Sequence, residues 1–292
     1  MGEFAVGQSV PREEDPRLLT GGGEYLDDVN LRDQAWGYVL RSPHGIAHIR
    51  SIDTTMAREA PGVLAVLTGA DWAAEGYGSL PCEDLAKTRS DGSPIFHPHY
   101  PALVPDTARY VGDYVAFVVA ETRTQARDAA EMIEVDYEPV PAVPTIESAL
   151  AEGATAIWPG CSDNVSFFEE KGDKAAVDQA FARADHIVHR RLVNNRVTAV
   201  AMEPRGCVGD YDARQGRYTI YTGLQNPHPL RHQIAHQIFG IPETDVRVIP
   251  GDVGGSFGMR GGTYNELLLV LWGSRLVGRP VKWRSDRSEG MM

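Results

Sequence analysis

The chain has 292 residues, of which 42% are hydrophobic and 23% charged, and its formal net charge is −12 at pH 7. This length allows two domains of ordinary size, and the acidic excess argues against nucleic acid or an anionic membrane surface as the main partner. The N-terminus does not resemble a signal peptide, and the longest apolar run, residues 267–272, is too short to span a bilayer. Three widely spaced cysteines imply no disulfide framework, so we expect a cytoplasmic protein.

The first half of the chain is predicted to mix short strands and helices. Residues 1–16 are polar and are predicted to be extended, whereas residues 122–132 predict a helix with Thr122 or Thr124 as its N-cap. Because strands and helices follow one another without a strict βαβ rhythm, the pattern predicts an α+β fold. The predicted strands cover residues 36–40, 47–52, 63–67, 114–120 and 133–137.

Prolines and glycines at residues 146–165 predict a linker between a first domain, residues 1–145, and a second, residues 166–292. The last predicted helix is apolar nearly all round, which is typical of a buried helix. Nothing at residues 287–292 resembles a capped end, so we expect a truncated chain with exposed apolar surface centred on residues 267–272. Helices are predicted at residues 174–184, 230–239 and 265–277, and strands at 186–194, 206–212, 218–222, 246–249 and 281–284.

A glycine-dense segment, residues 251–258, joins the predicted strand 246–249 to this last helix. Glycine tolerates positive φ and lets the backbone approach a ligand closely, and free N–H groups beside a helix N-terminus suit a phosphate. The glycines match neither G-x-G-x-x-G nor a P-loop. The segment therefore predicts a cofactor loop of a less common type, with a simple turn as the alternative. Phe257 is more natural in a loop that packs on a flat ring system.

Gln225 and Asn226 lie at a predicted strand-to-helix junction, where α/β proteins place ligands. The Gln225 side-chain amide could donate a hydrogen bond to an oxo or carbonyl group. The alternative is a structural role, in which Asn226 caps the helix ahead of Pro227.

Three histidines, His228, His232 and His236, recur at a spacing of four residues on one helix face. His232 and His236 have the spacing of the two histidines in the H-E-x-x-H pattern of zinc peptidases. Gln233, however, stands where that pattern has the glutamate that acts as general base, and an amide cannot accept the proton. No third ligand is evident in the sequence. We therefore expect a polar helix face and no metal ligands.

Two further features have simple structural interpretations. Residues 202–205 place Glu203 and Arg205 on either side of a proline, which predicts an internal salt bridge that shapes the bend. Cys207 lies in an apolar predicted strand and is expected to be a core residue.

Taken in order, the motifs of this chain resemble the N-terminal part of the molybdenum-cofactor large subunit of the xanthine dehydrogenase, aldehyde oxidase and aerobic carbon monoxide dehydrogenase family. The resemblance covers almost the whole chain. It implies an N-terminal α/β hammerhead domain with an extended arm, followed by the start of an α/β molybdopterin-binding domain. The motifs for the first domain are residues 7–12, 15–21, 40–44, 47–53, 61–69, 110–113 and 133–137, and those for the second are 202–205, 225–226, 254–258 and 279–283.

The resemblance also implies roles for individual residues. Gln225 matches the glutamine whose amide approaches molybdenum, and Phe257 and Gly258 match the loop pair beside the metal and pterin. Ser256 and Arg260 stand where glycine and lysine are commoner. Gly261 stands where purine-oxidising relatives carry a substrate-binding glutamate, which counts against xanthine as substrate. The implied cofactor-binding residues are Gln225, Gly254, Gly255, Ser256, Phe257, Gly258 and Arg260.

The implied activity is that of a molybdenum hydroxylase, which oxidises an aldehyde, an N-heterocycle or a CO-like small molecule with oxygen derived from water. The cofactor would be molybdenum–molybdopterin in its cytosine dinucleotide form, and electrons would pass to a 2Fe–2S small subunit and an FAD medium subunit. The catalytic base is expected in the remaining part of the large subunit. The alternatives are an inactive fragment or assembly module, a zinc hydrolase using His232 and His236, and a nicotinamide dehydrogenase using the glycine-rich loop.

Overall fold

The computed structural model of the protein describes residues 7, 9–82, 88–89 and 92–291. These residues form strands and helices in a mixed order, which confirms the α+β prediction. The elements are α1 (Asp15–Leu19), β1 (Ala35–Arg41), β2 (Ala47–Asp53), α2 (Thr55–Glu59), β3 (Val63–Thr68), α3 (Gly69–Ala74), β4 (Thr107–Ala108), β5 (Tyr114–Ala120), α4 (Arg123–Glu131), β6 (Glu134–Pro139), α5 (Ile146–Ala149), α6 (Lys174–Ala182), β7 (Gly206–Asp212), β8 (Arg217–Tyr221), α7 (Pro227–His232), β9 (Val246–Ile249), α8 (Asn265–Val277) and β10 (Val281–Arg284). Short 3-10 helices cover Leu26–Asp28, Glu243–Asp245 and Glu289–Met291, and a π-helix covers Gln233–Phe239.

A seven-stranded sheet runs through both halves of the chain in the order β3-β5-β1-β10-β7-β8-β9. The pairs β1–β10 and β8–β9 are parallel and the other neighbours are antiparallel. A smaller antiparallel sheet has the order β4-β2-β6. Strands from the first 145 residues and from the last part of the chain therefore share one sheet through β1 and β10. The domain division at residues 146–165 stays a prediction.

Strand β5 is buried over its whole length because helices cover both faces of the sheet at this point. Phe117 and Val119 belong to the large core that includes α8, whereas Ala116, Val118 and Ala120 belong to a second core with α4. This alternation follows from the opposite direction of successive side chains in a strand. At the start of α4 the Thr122 hydroxyl accepts the N–H of Gln125, as an N-cap does.

Helix α8 has the predicted bounds, and it lies inside the core. Residues 265–274 are all buried, and Trp272 has 1% of its surface exposed. The Trp272 ring meets the Trp72 ring of α3 edge to face, with centroids 5.3 Å apart. Its indole N–H donates to a carboxylate oxygen of Glu75 at 3.0 Å. The prediction that residues 267–272 are the centre of an exposed apolar surface is therefore wrong, because α3 and the sheet already cover this helix.

A run of exposed apolar side chains lies instead on residues 186–200. The strand predicted at residues 186–194 is wrong, because none of these residues forms regular structure or pairs with a described strand. A strand needs a partner for its backbone groups as well as β-branched side chains. The most exposed apolar residues here are Val188, Leu192, Val193 and Val197, with 76%, 89%, 75% and 86% of their surface accessible.

In the described part of the N-terminal arm, the predicted extended segment is wrong at its end, since α1 already begins at Asp15. Residues 1–6 and 8, which include Gln8 of the motif at 7–12, lie outside the described residues. Cys82, Cys161 and Cys207 are free thiols, and Cys207 is fully buried in the core, as predicted. Among the helices in the described part of the chain, none has the length and apolar character needed to cross a membrane.

Candidate functional site

The glycine-rich loop leaves β9 at Pro250 and reaches α8 at Asn265. It contains unusual backbone angles: φ is 105° at Gly255, 54° at Phe257 and 98° at Gly258. An aromatic residue with positive φ is strained, and such strain concentrates at functional sites. Phe257 also has 81% of its surface exposed. A ring that is both strained and exposed is better explained by a ligand or by another polypeptide than by a simple turn.

Gln225 comes from the junction after β8 and lies against this loop. Its backbone N–H donates to the carbonyl oxygen of Arg260 at 3.1 Å. Its side-chain oxygen Oε1 accepts from the Ser256 hydroxyl at 2.6 Å, and that hydroxyl accepts the Arg260 N–H at 3.1 Å. Because Oε1 is held by Ser256, the amide group Nε2 is left as a donor. Asn226 occupies the N-cap position of α7, but its side chain makes no capping hydrogen bond.

The loop also presents backbone donors. No described residue accepts a hydrogen bond from the backbone N–H of Ser256, Phe257 or Gly258. At Gly258 no atom lies within 4 Å of the position that a Cβ would occupy. The loop thus offers N–H groups and open space beside the Gln225 amide, which suits a ligand that carries oxygen acceptors.

A buried ion pair between Glu203 and Arg260 connects the glycine-rich loop to the segment at residues 202–205. Arg260 Nη1 lies 2.6 Å from Glu203 Oε2, and the two side chains are 4% and 12% exposed. The same carboxylate oxygen accepts the N–H of Gly254 at 2.8 Å, and Oε1 accepts the N–H of Leu26 at 3.1 Å. A Cβ at Gly254 would lie 2.4 Å from the Glu203 Cβ, so this position requires glycine.

This pairing corrects the prediction of a salt bridge between Glu203 and Arg205. Arg205 pairs with a different carboxylate, since its Nε lies 3.1 Å from Glu266 Oε1 on α8. Its guanidinium stacks on the Tyr264 ring. Glu266 also accepts the Tyr114 hydroxyl at 2.6 Å, and burial raises the pKa of that phenol well above its usual value. The bend at residues 202–205 is thus fixed by partners far away in the sequence, which spacing alone could not reveal.

The Arg260 guanidinium donates its hydrogen bonds to groups inside the protein. Besides Glu203 it donates to the backbone carbonyl oxygens of residues 203 and 204. The Arg260 backbone is engaged as well, since its N–H donates to Ser256 and its carbonyl oxygen accepts from Gln225. That Arg260 binds a cofactor directly therefore stays a prediction, and its observed contacts position the loop.

Asp252 links the start of the loop to the N-terminal arm. It accepts two hydrogen bonds from Arg17, at 2.6 and 2.7 Å, and one from the N–H of Glu24 at 2.7 Å. The Arg17 hydrogen bond is the main reason that the pKa of Asp252 is lowered to about 2. Because the carboxylate is favoured in the folded state, its contribution to stability is complete above the ordinary value and is lost as the pH falls from about 4 to about 2.

We therefore expect the substitution Arg17→Ala to raise the pKa of Asp252 toward the ordinary value for an aspartate. An NMR titration of the Asp252 carboxyl carbon measures this directly. Arg12→Ala, which removes another arm arginine that pairs with Glu14 and Asp15, is the matched control and should leave the Asp252 titration unchanged. An unchanged Asp252 pKa in Arg17→Ala would show that the arm does not hold this carboxylate in solution.

A cavity of about 560 Å³ lies elsewhere, between the first half of the chain and the start of α8. None of the predicted cofactor-binding residues lines it. Arginines stack on aromatic rings along its wall, Arg41 on Tyr114 and Arg109 on Trp158. The chemistry predicted from the sequence therefore belongs to the exposed loop, and the cavity is a separate feature.

Two domain families match the chain and divide it between them. Residues 20–141 match the aldehyde oxidase and xanthine dehydrogenase a/b hammerhead domain, and residues 157–292 match the molybdopterin cofactor-binding domain. The fold and the loop thus define a hammerhead unit followed by a molybdopterin-binding unit.

Individual relatives match nearly the whole chain. The large subunit of nicotine 6-hydroxylase from Paenarthrobacter nicotinovorans is 35% identical over 98% of this chain and 34% of its own length. The carbon monoxide dehydrogenase large chain of Afipia carboxidovorans is 34% identical over 98% of this chain and 35% of its own length. The crystal structure of quinoline 2-oxidoreductase from Pseudomonas putida 86 superposes with a TM-score of 0.88, at 37% identity, over 98% of this chain and 35% of that one.

The chain belongs to the xanthine dehydrogenase and aldehyde oxidase family of molybdopterin-binding large subunits. It spans about a third of the length of the relatives that it matches. The hammerhead and molybdopterin-binding architecture predicted from the sequence is thereby confirmed.

Proposed function

We propose that this chain forms part of a molybdenum hydroxylase and supplies one side of its cofactor site. The observation that carries the proposal is the Ser256–Gln225 hydrogen bond of 2.6 Å, which holds the Gln225 side chain against the loop through its oxygen and leaves the amide Nε2 as a donor. The bound molybdenum–molybdopterin cofactor would supply two-electron oxidation with oxygen derived from water. The residues of this chain would bind, orient and polarise.

The residues present fit that cofactor. Gln225 Nε2 would donate a hydrogen bond to a cofactor oxygen, and the N–H groups of Phe257 and Gly258 would lie beside it. A fixed donor helps most where charge develops during the reaction, because it needs no reorganisation. The Glu203–Arg260 pair would keep the loop at its place, since a site displaced by about 1 Å loses much of its effect.

The proposed substrate is an aldehyde, an N-heterocycle or a CO-like small molecule. A Cβ at Gly261 would lie 3.7 Å from Gln225 Oε1, so a side chain at this position would stand beside the polarising amide. Glycine supplies no carboxylate there, which disfavours a purine that requires one. The catalytic base would come from the remainder of the large subunit.

Partner subunits with a 2Fe–2S cluster and FAD, and a cytosine dinucleotide form of the cofactor, follow from the family resemblance. The relatives support partner subunits in general, since one is the gamma subunit of a 6-hydroxypseudooxynicotine dehydrogenase complex. The free thiols of Cys82, Cys161 and Cys207 agree with a reducing, cytoplasmic location.

The first test is the molybdenum content per chain, measured by elemental analysis of tagged protein purified with its partners from its native host. Near-stoichiometric molybdenum is the expected result. A folded protein without molybdenum would contradict the proposal and leave a non-catalytic assembly module as the better description.

In the same complex we expect Gln225→Ala to lower kcat by about 10²- to 10³-fold while molybdenum content is retained, because one polarising donor is lost. Turnover is measured with an aldehyde or N-heterocycle that the wild-type complex oxidises with a dye as electron acceptor. Ser256→Gly should lower kcat up to about tenfold, since it removes the hydrogen bond that orients the amide and the acceptor of the Arg260 N–H but keeps the amide itself. Gln215→Ala, in an exposed turn, is the matched control. Equal rates for Gln225→Ala and Gln215→Ala would remove Gln225 from the proposed site.

A further inference from the structure

Two histidines and a glutamate meet at the end of the helical segment that begins at α7. His232 is the last residue of α7, and His236 lies in the π-helix that continues it. Glu243, in the following 3-10 helix, places its oxygen Oε1 2.9 Å from His232 Nδ1 and 3.4 Å from His236 Nε2. One ligand atom from each residue falls in a group whose members all lie within 4.8 Å of one another.

The Glu243 carboxylate is oriented by a further residue. Its second oxygen, Oε2, lies 3.0 Å from Nε and 2.8 Å from Nη2 of Arg231. Arg231 therefore occupies one oxygen and leaves the other facing both histidines. Protein metal sites commonly use this arrangement, in which an outer hydrogen bond fixes the orientation of a ligand.

We propose that His232, His236 and Glu243 form a binding site for a divalent transition-metal ion such as Zn²⁺. Imidazole nitrogen and carboxylate oxygen are suitable ligands for this class of ion. With metal–ligand bonds of about 2.0–2.2 Å, ligand atoms around a tetrahedral ion are roughly 3.3–3.6 Å apart. The Glu243 oxygen lies 2.9 and 3.4 Å from the two histidine nitrogens, and all three ligand atoms lie within 4.8 Å of one another, so the side chains would have to move to enclose an ion. Water would complete the coordination.

This site would bind the metal ion but would not catalyse hydrolysis. Gln233, between the histidines in sequence, accepts a hydrogen bond from the Thr263 hydroxyl and offers no general base. The ion would instead connect the end of α7 and the middle of the π-helix to the 3-10 helix that leads directly into β9. Both histidines are accessible, with side chains 55% and 51% exposed, so the ion can enter from solvent.

The test is a calorimetric titration of the full 292-residue chain, stripped with a chelator, with Zn²⁺, followed by the visible spectrum of the Co²⁺ form. We expect one ion per chain at this site and a Co²⁺ spectrum typical of nitrogen and oxygen ligands. His232→Ala, His236→Ala and Glu243→Gln should each weaken Zn²⁺ binding at least tenfold. His228→Ala is the matched control, because this exposed histidine lies outside the cluster.

Zn²⁺ binding that is the same in all four variants, or no binding at all, would overturn the proposal and leave a hydrogen-bonded surface cluster. Glu243→Gln keeps the size of the side chain, so circular dichroism of this variant separates loss of ligation from loss of folding. The experiment contains no molybdenum cofactor, and its outcome is independent of the proposed hydroxylase function.

Discussion

Glu203→Ala is expected to lower the free energy of unfolding by about 3–5 kcal/mol, because it leaves the buried Arg260 guanidinium without its counter-charge. Only 4% of the Arg260 side chain is exposed, so water cannot replace the lost carboxylate. The N–H groups of Gly254 and Leu26 lose their acceptor at the same time. The measurement is equilibrium unfolding in urea at neutral pH.

The control is a salt bridge of the same kind at the surface. Lys174 and Asp178 are 2.7 Å apart on α6, but their side chains are 77% and 63% exposed. Asp178→Asn should therefore change the free energy of unfolding by less than about 0.5 kcal/mol. If Glu203→Ala costs no more than Asp178→Asn, the pair does not support the loop in the way described.

Trp272→Ala is expected to cost about 3–5 kcal/mol, the range for removing a large aromatic side chain from a core. The indole is 1% exposed and packs against Trp72 and Tyr77. Its removal also takes the N–H donor away from Glu75. Trp72 lies on α3 and Tyr77 follows that helix, so the space cannot close unless this segment moves toward α8.

Leu276→Ala, on the same helix but with 46% of the residue exposed, is the comparison. Alanine favours helix, and little apolar area is lost, so we expect a change below about 1 kcal/mol. Thermal unfolding followed by circular dichroism gives both values. Similar losses in the two variants would mean that α8 is not packed into the core along its Trp272 face.

The sequence predicted those elements in which local pattern and tertiary contacts agree. The bounds of α8 and β10 were predicted correctly, because their apolar residues are both locally favoured and buried. The strand at residues 186–194 was predicted wrongly, because its pattern is suitable but no described strand provides hydrogen-bonding partners. The π-helix at Gln233–Phe239 has no sequence signature comparable to helix periodicity.

The candidate site was predicted unevenly for a similar reason. Gln225 and the glycine-rich loop could be proposed because both lie at strand ends, and the structure brings them together through Ser256. Glu203 and Arg260 are 57 positions apart, and nothing in the spacing indicates that they pair. Glu243 likewise approaches His232 and His236 only through the turn after the π-helix. Such contacts depend on the fold as a whole.

The parallel pair β1–β10 has a consequence for how the protein is made. Arg41, at the end of β1, and Glu289, just after β10, are 248 positions apart and form an ion pair at 2.8 Å. At roughly 5–20 residues per second, the ribosome needs about 12–50 s to synthesise the chain between them. Until then the middle of the large sheet lacks a strand, and β1 and β7 each have an open edge toward it. Nascent chains therefore pass through a period in which two unpaired strand edges are available to chaperones or to other copies.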